Sequence, residues 1–273
     1  MDKFDKAVDD IKKMRVQGAT SVAKSGVAAV RDSNHKLDED IAIMKKARCT
    51  EPMLFNCLSF IEKGGKRVAD DILRIINEGG RKIVDNGAEI LKDGMKILTY
   101  CHSSTVVSVV RKGVEKGLKI EVVCCETRPR YQGRITAKEL GGMGVKTRLV
   151  VDGAGGYYLD NEKFDGVFLG VDALTRDSFY NKIGSYGISL ASFENGVDVY
   201  VFGSLLKYTD RKVEIEKRDK SEVWEESPSG VAVENLAFDR VSYKYIKGVV
   251  SEFGVIKPEE VEKTAKENYC FIE

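Results

Sequence analysis

The stretch Val-Val-Cys-Cys-Glu-Thr-Arg-Pro-Arg-Tyr-Gln-Gly, residues 122–133, joins an apolar run directly to a cluster of polar side chains. Two more stretches have the same design: Lys-Ile-Leu-Thr-Tyr-Cys-His-Ser-Ser at residues 96–104 and Asp-Gly-Val-Phe-Leu-Gly-Val-Asp at residues 165–172. In open α/β sheets, ligands bind beyond the carboxyl ends of the strands, where the first side chains past the buried run face a crevice. The three stretches therefore predict an α/β fold with a site along one edge of a parallel sheet.

The bulk composition excludes several classes of protein. The 273 residues carry a formal net charge of +1, so no overall field attracts nucleic acid or a membrane surface. No apolar run reaches the roughly 20 residues that a membrane-spanning helix needs. The six cysteines lack C-x-x-C metal spacing, and the first residues do not resemble a signal peptide. We expect a cytoplasmic protein with reduced thiols, no metal or other cofactor, no direct nucleic-acid partner and no membrane contact.

The chain divides by pattern into two parts. Residues 1–94 have apolar positions at helical spacing, as at Ile72, Ile75 and Ile76, and predict a helical N-terminal domain. Residues 95–273 alternate short β-branched runs with helix-sized segments, which predicts a second domain with a parallel sheet. The predicted strands cover residues 97–100, 120–125, 147–151, 166–170, 197–203 and 245–250, and a last short helix begins at Pro258.

Cys101 is the first candidate for chemistry. It follows the apolar run 97–100 and precedes His102, Ser103 and a helical pattern, so it should lie at a strand-to-helix turn. The N-terminus of a helix stabilises an anion, so we expect the thiol pKa to fall toward neutrality and the cysteine to serve as base or nucleophile. The alternative is a small buried residue at a strand end.

Asp172 ends a second apolar run, and Asn181 and Lys182 return on the following turn. A carboxyl group there can protonate or position a sugar oxygen while Lys182 binds an anion; a helix cap with a salt bridge explains the same residues equally well. Lys207 also follows a strand, although a lone lysine is usually a solvated charge.

The polar cluster after residue 125 adds Arg128 and Gln132. The planar guanidinium of Arg128 suits a phosphate or an inter-strand carboxylate equally well. His102, beside the candidate thiol, either raises its reactivity or caps the helix.

Together these motifs resemble the family that unites the alpha, beta and delta regulatory subunits of initiation factor 2B with the isomerases of methylthioribose 1-phosphate and ribose 1,5-bisphosphate. The likeness covers nearly the whole chain and lies in Gln17-Gly18-Ala19, Cys101-His102-Ser103, Glu126-Thr127-Arg128-Pro129, Gln132-Gly133, Gly170-Val171-Asp172, Asn181-Lys182-Ile183-Gly184, Lys207, Asn235, Phe238-Asp239 and Gly254-Val255-Ile256. The resemblance implies a Rossmann-like C-terminal domain after the helical one, and homodimers that stack into hexamers.

Within this family the chain is most similar to the archaeal ribose-1,5-bisphosphate isomerases, through Cys101-His102-Ser103 and the stretches 135–140 and 213–219. The resemblance implies that Cys101 and Asp172 are catalytic, as base and acid. It also implies that a sugar phosphate is bound by Gln17, Gly18, Ala19, His102, Ser103, Arg128, Gln132, Asn181, Lys182 and Lys207, without metal or organic cofactor.

Two positions depart from the family pattern. The arginine of its Arg-Gly-Ala motif is Gln17 here, and the arginine of its Arg-Pro-Thr motif is Glu51. Losing one charged phosphate contact costs on the order of 1.5–3 kcal/mol, and a carboxylate also repels phosphate.

These departures leave two hypotheses for the function of the chain. The first is an aldose–ketose isomerase that converts ribose 1,5-bisphosphate to ribulose 1,5-bisphosphate. The second is a non-catalytic regulatory subunit that binds a phosphorylated ligand and contacts initiation factor 2.

Overall fold

The computed structural model describes residues 2–48 and 50–272. Helices fill its first third: α1 (Lys3–Lys12), α2 (Ala19–Asp32), α3 (Leu37–Ala47), α4 (Pro52–Gly64) and α5 (Ala69–Ala88). In α5 the buried positions Ile72, Ile76, Gly79 and Ile83 recur every three or four residues, so one face of the helix packs inward and the charged face meets solvent. Within the described residues, no helix is both long and apolar enough to cross a membrane.

A seven-stranded sheet follows the helical part. Its strands are β1 (Lys96–Tyr100), β2 (Glu121–Cys125), β3 (Lys146–Val150), β4 (Gly166–Gly170), β7 (Val199–Phe202), β9 (Gly248–Ser251) and β10 (Gly254–Ile256). They lie in the order β10-β9-β7-β4-β1-β2-β3, and only β10 is antiparallel to its neighbour. The remaining helices are α6 (Ser104–Glu115), α7 (Gln132–Gly142), α8 (Ala154–Asn161), α9 (Ser185–Glu194) and α10 (Val261–Asn268). Successive residues Ile97 and Leu98 belong to apolar clusters on opposite faces, so the sheet is buried on both sides.

The predicted α/β class is confirmed, and the predicted strand 166–170 matches β4 to the residue. The prediction missed a second, three-stranded sheet, formed by β5 (Ala173–Leu174), β6 (Ser178–Lys182) and β8 (Phe238–Ser242) in antiparallel pairs. The prediction that Asn181 and Lys182 lie on a turn is therefore wrong, since both belong to β6.

Strand register brings the candidate site residues to the carboxyl edge of the seven-stranded sheet. Tyr100 pairs with Cys125 and with Leu169, while Gly170 pairs with Phe202. The segments that leave the carboxyl ends of these four parallel strands consequently start side by side, which places Cys101 beside the residues that follow β2 and β4.

The helical part is tied to this edge by α4. The Asn56 side chain, which is buried, donates hydrogen bonds of 2.8 Å to the backbone carbonyls of Leu206 and Tyr208. Leu58 and Ile61 of the same helix share an apolar cluster with Leu206. The α4 helix thereby fixes the backbone on both sides of Lys207.

Gly133 offers a direct test of how closely α7 packs against the end of β2. A Cβ atom at this position would lie 1.7 Å from the carbonyl oxygen of Cys125. Because the obstacle is backbone, we expect Gly133→Ala to lower the free energy of unfolding by about 3 kcal/mol, measured by urea denaturation.

Gly141 provides the matched control on the same helix, since a Cβ there meets no atom within 4 Å. Gly141→Ala should be neutral or stabilising by up to about 1 kcal/mol, because alanine favours a helix. Equal effects of the two substitutions would refute the close contact.

Candidate active site

Cys101 lies at the turn between β1 and α6, as predicted, and its backbone is held at both ends. Its N–H donates to Thr127 Oγ1 over 2.9 Å, and its carbonyl accepts from Thr136 Oγ1 over 2.9 Å. The residue has φ of 69°, a left-handed conformation that is uncommon for a side-chain-bearing residue. Ser103 caps α6 by accepting from the Val106 N–H. These bonds fix where the thiol points.

The loop after β2 supplies one of those bonds. Thr127 is fully buried, has φ of 64°, and donates its hydroxyl to the Cys125 carbonyl. Asp152 accepts from the backbone N–H groups of Thr127 and Arg128 at 2.7 and 2.6 Å. Strained conformations of this kind persist only where surrounding bonds over-determine them, and they cluster at functional sites. The loop therefore serves to orient Cys101.

Burial raises the pKa of the Cys101 thiol to about 11. The positive charge of Lys182 and the His102 N–H act in the opposite direction, and the negative charge of Asp172 adds to the increase. The predicted lowering of this pKa is wrong, because removal from water outweighs the nearby helix N-terminus.

Asp172 lies between β4 and β5 and does not directly precede a helix, so it is not the helix cap considered above. Its N–H donates to the Tyr180 carbonyl over 2.9 Å. Burial raises the pKa of its carboxyl group, and the cations Lys207, Lys182, Arg48 and Arg218 oppose that increase. This direction keeps a proton on the acid at higher pH.

Both lysines near the carboxyl group are buried, at 5% exposure for Lys182 and 8% for Lys207. Burial lowers the pKa of each. Lys207 Nζ donates to the Val171 carbonyl over 2.5 Å, so it is not a solvated surface charge. Asn181, also buried, donates to Ser185 Oγ over 2.9 Å.

Glu51 joins the same cluster. Its side chain is 3% exposed and its Oε1 lies 3.4 Å from Arg48 Nε. Burial, followed by the charge of Asp172, raises the pKa of Glu51 to about 7, while Arg48 and Lys207 act in the opposite direction. Glu51 is thus a buried acid whose pKa is raised by the charge of Asp172.

Several predicted binding residues lie outside this cluster or point elsewhere. Gln17 is exposed and donates to the Met14 carbonyl, while Gly18 and Ala19 begin α2. His102 Nδ1 lies 3.1 Å from Thr136 Oγ1.

Arg128 is exposed, and its guanidinium group is bound to other parts of the chain. It donates to the Tyr131 hydroxyl and to the Val223 carbonyl, so it ties the loop after β2 to the segment 213–236. Gln132 Oε1 is buried with no hydrogen-bond partner among the described residues.

Sequence reasoning gave no role to Arg218 and Glu216, which the structure adds to the cluster. Arg218 is 8% exposed in its side chain, and its charge acts on both Cys101 and Asp172. The only sequence signal was their place in the stretch 213–219, where alternate residues share a face when the chain is extended.

A cleft of about 580 Å³ opens beside Lys207, between the helical part and the N-terminal turns of α6. It is lined by Thr20, Lys24, Met53, Ile76, Asn77, Gly80, Arg81, Ile83, Val84, Asp85, Ser104, Thr105, Ser108, Lys112, Gly203, Ser204 and Lys207. Its hydroxyl groups and cations suit a phosphorylated ligand. Among residues 2–48 and 50–272, no group of three or more His, Cys, Asp or Glu side chains is arranged to hold a metal ion.

The model of the initiation factor 2 subunit family matches residues 19–258. The chain belongs to that family. This family member is 32% identical to ribose 1,5-bisphosphate isomerase of Archaeoglobus fulgidus, over 95% of the chain and 91% of that protein. It is 31% identical to the putative methylthioribose-1-phosphate isomerase of Methanocaldococcus jannaschii, over 91% of the chain and 84% of that protein.

Solved structures agree with the family assignment. The crystal structure of Pyrococcus horikoshii translation initiation factor eIF-2B superimposes with a TM-score of 0.84 at 26% identity, covering 94% of this chain and 98% of that one. The tetrameric eIF2B-beta2-delta2 complex of C. thermophilum, with a TM-score of 0.77, covers 92% of this chain and 90% of its own, and at 18% identity shows the fold alone.

The raised pKa of Cys101 predicts slow alkylation. Iodoacetamide reacts with the thiolate, and with a pKa of about 11 roughly one thiol in a thousand is ionised at pH 8. The rate at Cys101, followed by peptide mass spectrometry, should rise about tenfold per pH unit up to pH ~10. Exposed Cys270 should react faster and serves as the internal control. A rate at Cys101 that levels off near pH 8 would contradict the raised pKa.

The raised pKa of Glu51 predicts a stability that falls with pH. Between its usual 4.5 and about 7, the unfolded chain releases this proton while the folded chain keeps it. The free energy of unfolding should therefore fall through this window, by up to about 3 kcal/mol, and level off above pH 7. Glu51→Gln should remove this share of the decrease in urea unfolding curves, while any share from the raised pKa of Asp172 remains.

Glu162→Gln is the control for that experiment. Hydrogen bonds from Arg148 and Lys96 lower the pKa of Glu162 to about 2, so its titration falls below the window. If wild type and Glu51→Gln differ by the same amount at pH 5 and pH 7.5, Glu51 does not titrate as described.

Proposed function

We propose that this chain is a sugar-phosphate isomerase, and specifically that it converts ribose 1,5-bisphosphate to ribulose 1,5-bisphosphate. The observation that carries the proposal is a buried cluster of ionisable groups at one edge of the sheet, in which the charges of Asp172 and Lys182 act on the Cys101 thiol and Lys207 acts on Asp172. The isomerase names of relatives at about 30% identity support the same reaction class.

Asp172 is proposed as the acid that opens the sugar ring. The anomeric carbon of the substrate carries a phosphate ester, so the ring must be opened by protonation of its oxygen. Burial raises the pKa of this carboxyl group, so it keeps the proton that it must donate. Its position, facing cations rather than bulk solvent, suits a group that becomes an anion in the step.

Cys101 is proposed as the base that removes the C2 proton. The C2–H electron pair then forms the C1–C2 double bond of an enol phosphate. Cys101 returns the proton to C1 while the C2 hydroxyl gives its own proton to the Asp172 carboxylate, which yields the ketose and restores both groups. A thiolate with a pKa of about 11 is a strong base but a scarce one at neutral pH. Lys182 and the His102 N–H favour that thiolate, so they assist the step electrostatically.

The remaining polar groups are proposed to hold the substrate. Lys182 and Lys207 are buried cations that suit phosphate oxygens, and Asn181 suits a sugar hydroxyl. Gly18 and Ala19, at the start of α2, remain a predicted phosphate contact beside the cleft. The proposed steps require only proton transfers by protein groups.

A regulatory role is the second candidate. The replacement of two family arginines by Gln17 and Glu51, together with the likeness to an eIF-2B structure, favours it. In that case the purified chain should capture initiation factor 2 in a pull-down, and Cys101→Ser should capture it equally. Absence of capture at tens of micromolar would exclude this role.

The assembly and the location are proposed with the function. The eIF2B-beta2-delta2 neighbour is a tetrameric complex, which is compatible with a homodimer or homohexamer here. Exposed aromatic side chains at Tyr157, Tyr186 and Phe193 offer apolar surface for such contacts. We propose a cytoplasmic location, because the cysteines follow no disulfide or metal spacing.

Phosphorus NMR of ribose 1,5-bisphosphate tests the enzyme directly. Wild type should form ribulose 1,5-bisphosphate, and Cys101→Ser and Asp172→Asn should each lower kcat at least 100-fold, because each removes a proton-transfer group. Cys270→Ser, which removes an exposed thiol, should leave the rate unchanged. Methylthioribose 1-phosphate is the comparison substrate. No turnover of either sugar phosphate would refute the proposal, and preference for the second would correct the substrate.

A further inference from the structure

We propose that Glu252 is a positioning residue of the candidate site, which fixes the short helix that carries Lys207 and supplies a negative charge that keeps Lys207 an ammonium group. The inference deepens the proposed function and rests on it, since Lys207 is proposed there to hold the substrate. Glu252 follows β9, at the same carboxyl edge of the sheet, and it acts through Lys207 rather than by touching the substrate.

Glu252 is buried, and three donors hold its carboxylate. The residue is 6% exposed. Its Oε1 accepts from the hydroxyl groups of Ser204 and Tyr269 over 2.5 and 2.6 Å, and its Oε2 accepts from the Leu205 N–H over 3.1 Å. Burial, followed by the charge of Glu252, raises the pKa of Tyr269, so this hydroxyl keeps the proton that it donates. An ionised carboxylate accepts on both oxygens and donates no proton, so the three bonds fit the charged form of Glu252.

These bonds fix the start of the 3₁₀ helix Leu205–Lys207. Ser204 caps the helix by accepting from a backbone N–H within it over 3.1 Å, while its own hydroxyl donates to Glu252. A helix of one turn leaves most of its backbone groups to outside partners. Glu252 and Ser204 satisfy the N–H groups at its start, and they thereby determine the position from which Lys207 reaches the Val171 carbonyl.

Glu252 also compensates the charge of Lys207 when other acids do not. Burial lowers the pKa of Lys207, and the charges of Asp172, Glu51 and Glu252 oppose that decrease. In the proposed mechanism Asp172 carries a proton before it opens the ring, so it is then neutral. The pKa of Glu51 is raised to about 7, so this acid is also protonated in part at neutral pH. Of the three acids, Glu252 is the one whose described hydrogen bonds are all accepted ones.

The cleft beside Lys207 supplies no net negative charge in place of Glu252. The charged side chains that line the cleft together with Lys207 are those of Lys24, Arg81, Asp85 and Lys112. Three of these four are cations, and nearby cations disfavour an ammonium group. The carboxylate behind the short helix therefore matters for the charge of Lys207.

An NMR titration of Lys207 tests this role without requiring turnover. Protein isotopically labelled at lysine Cε reports the protonation of each lysine, and Lys207→Arg identifies the signal of Lys207. Removing a neighbouring anion disfavours the ammonium form, so the signal should change at lower pH in Glu252→Gln than in wild type. Glu252→Asp retains the charge and should restore most of the difference. Tyr269→Phe removes one hydrogen bond but leaves the carboxylate, so it is the matched control and should titrate as wild type.

The pH dependence of turnover separates this role from a structural one. With ribose 1,5-bisphosphate, kcat/KM of Glu252→Gln should be about threefold below wild type at pH 6 and at least tenfold below it at pH 9, because the variant loses the ammonium form earlier. The loss should lie mainly in KM, since Lys207 is proposed to hold the substrate. A residue that merely stabilises the fold would lower kcat/KM by the same factor at both pH values.

A second variant keeps the test decisive if thermal midpoints show that Glu252→Gln folds poorly. Glu51→Gln combined with Asp172→Asn removes the other two charges, and Lys207 should still be an ammonium group at neutral pH. A neutral Lys207 in that variant, or the same titration in wild type and a folded Glu252→Gln, would overturn the role of Glu252. The expected titrations without any isomerisation would reject the proposed function alone. Turnover that depends on Cys101, with an unchanged titration of Lys207 in Glu252→Gln, would reject the role of Glu252 alone.

Discussion

The burial of several ionisable groups together is the constraint on which the site depends. Asp172, Glu51, Lys182 and Lys207 lie largely out of water, where an isolated charge costs several kcal/mol even after relaxation. The opposite charges partly compensate one another, but burial still raises the pKa values of the two acids and lowers those of the two lysines. Proton transfer at neutral pH needs groups shifted in this way.

The parallel sheet places these groups but does not select their chemistry. Register aligns the ends of β1, β2, β4 and β7, so whatever follows each strand meets at one edge. The small antiparallel sheet then adds Lys182 and Asn181 from the side, and the segment 213–236 adds a further cation. A polar crevice results from ordinary strand pairing, and its specificity comes from the connections between the strands.

The sequence predicts the features that depend on local pattern. The strand 166–170 and the turn at Cys101 follow from apolar runs with clear ends. The strand β6, Ser-Phe-Tyr-Asn-Lys, was missed because its polar residues give no apolar run, although the fold buries them. Whether the pKa of the Cys101 thiol rises or falls depends on whether the effect of burial outweighs that of the nearby helix N-terminus. Burial is a property of the whole fold, so the sequence pattern alone does not give it. Arg218 could not be assigned because its partners lie in distant parts of the chain.

The bonds from Asn56 to the carbonyls on either side of Lys207 have a consequence for the modularity of the chain. A helix in the first third supports the backbone around a buried lysine in the last third, so both parts of the chain build the candidate site. A rearrangement in evolution that exchanged the helical part for another would remove the support of Lys207 even if every residue of the sheet were retained. The two parts are therefore expected to change together rather than to recombine as independent units.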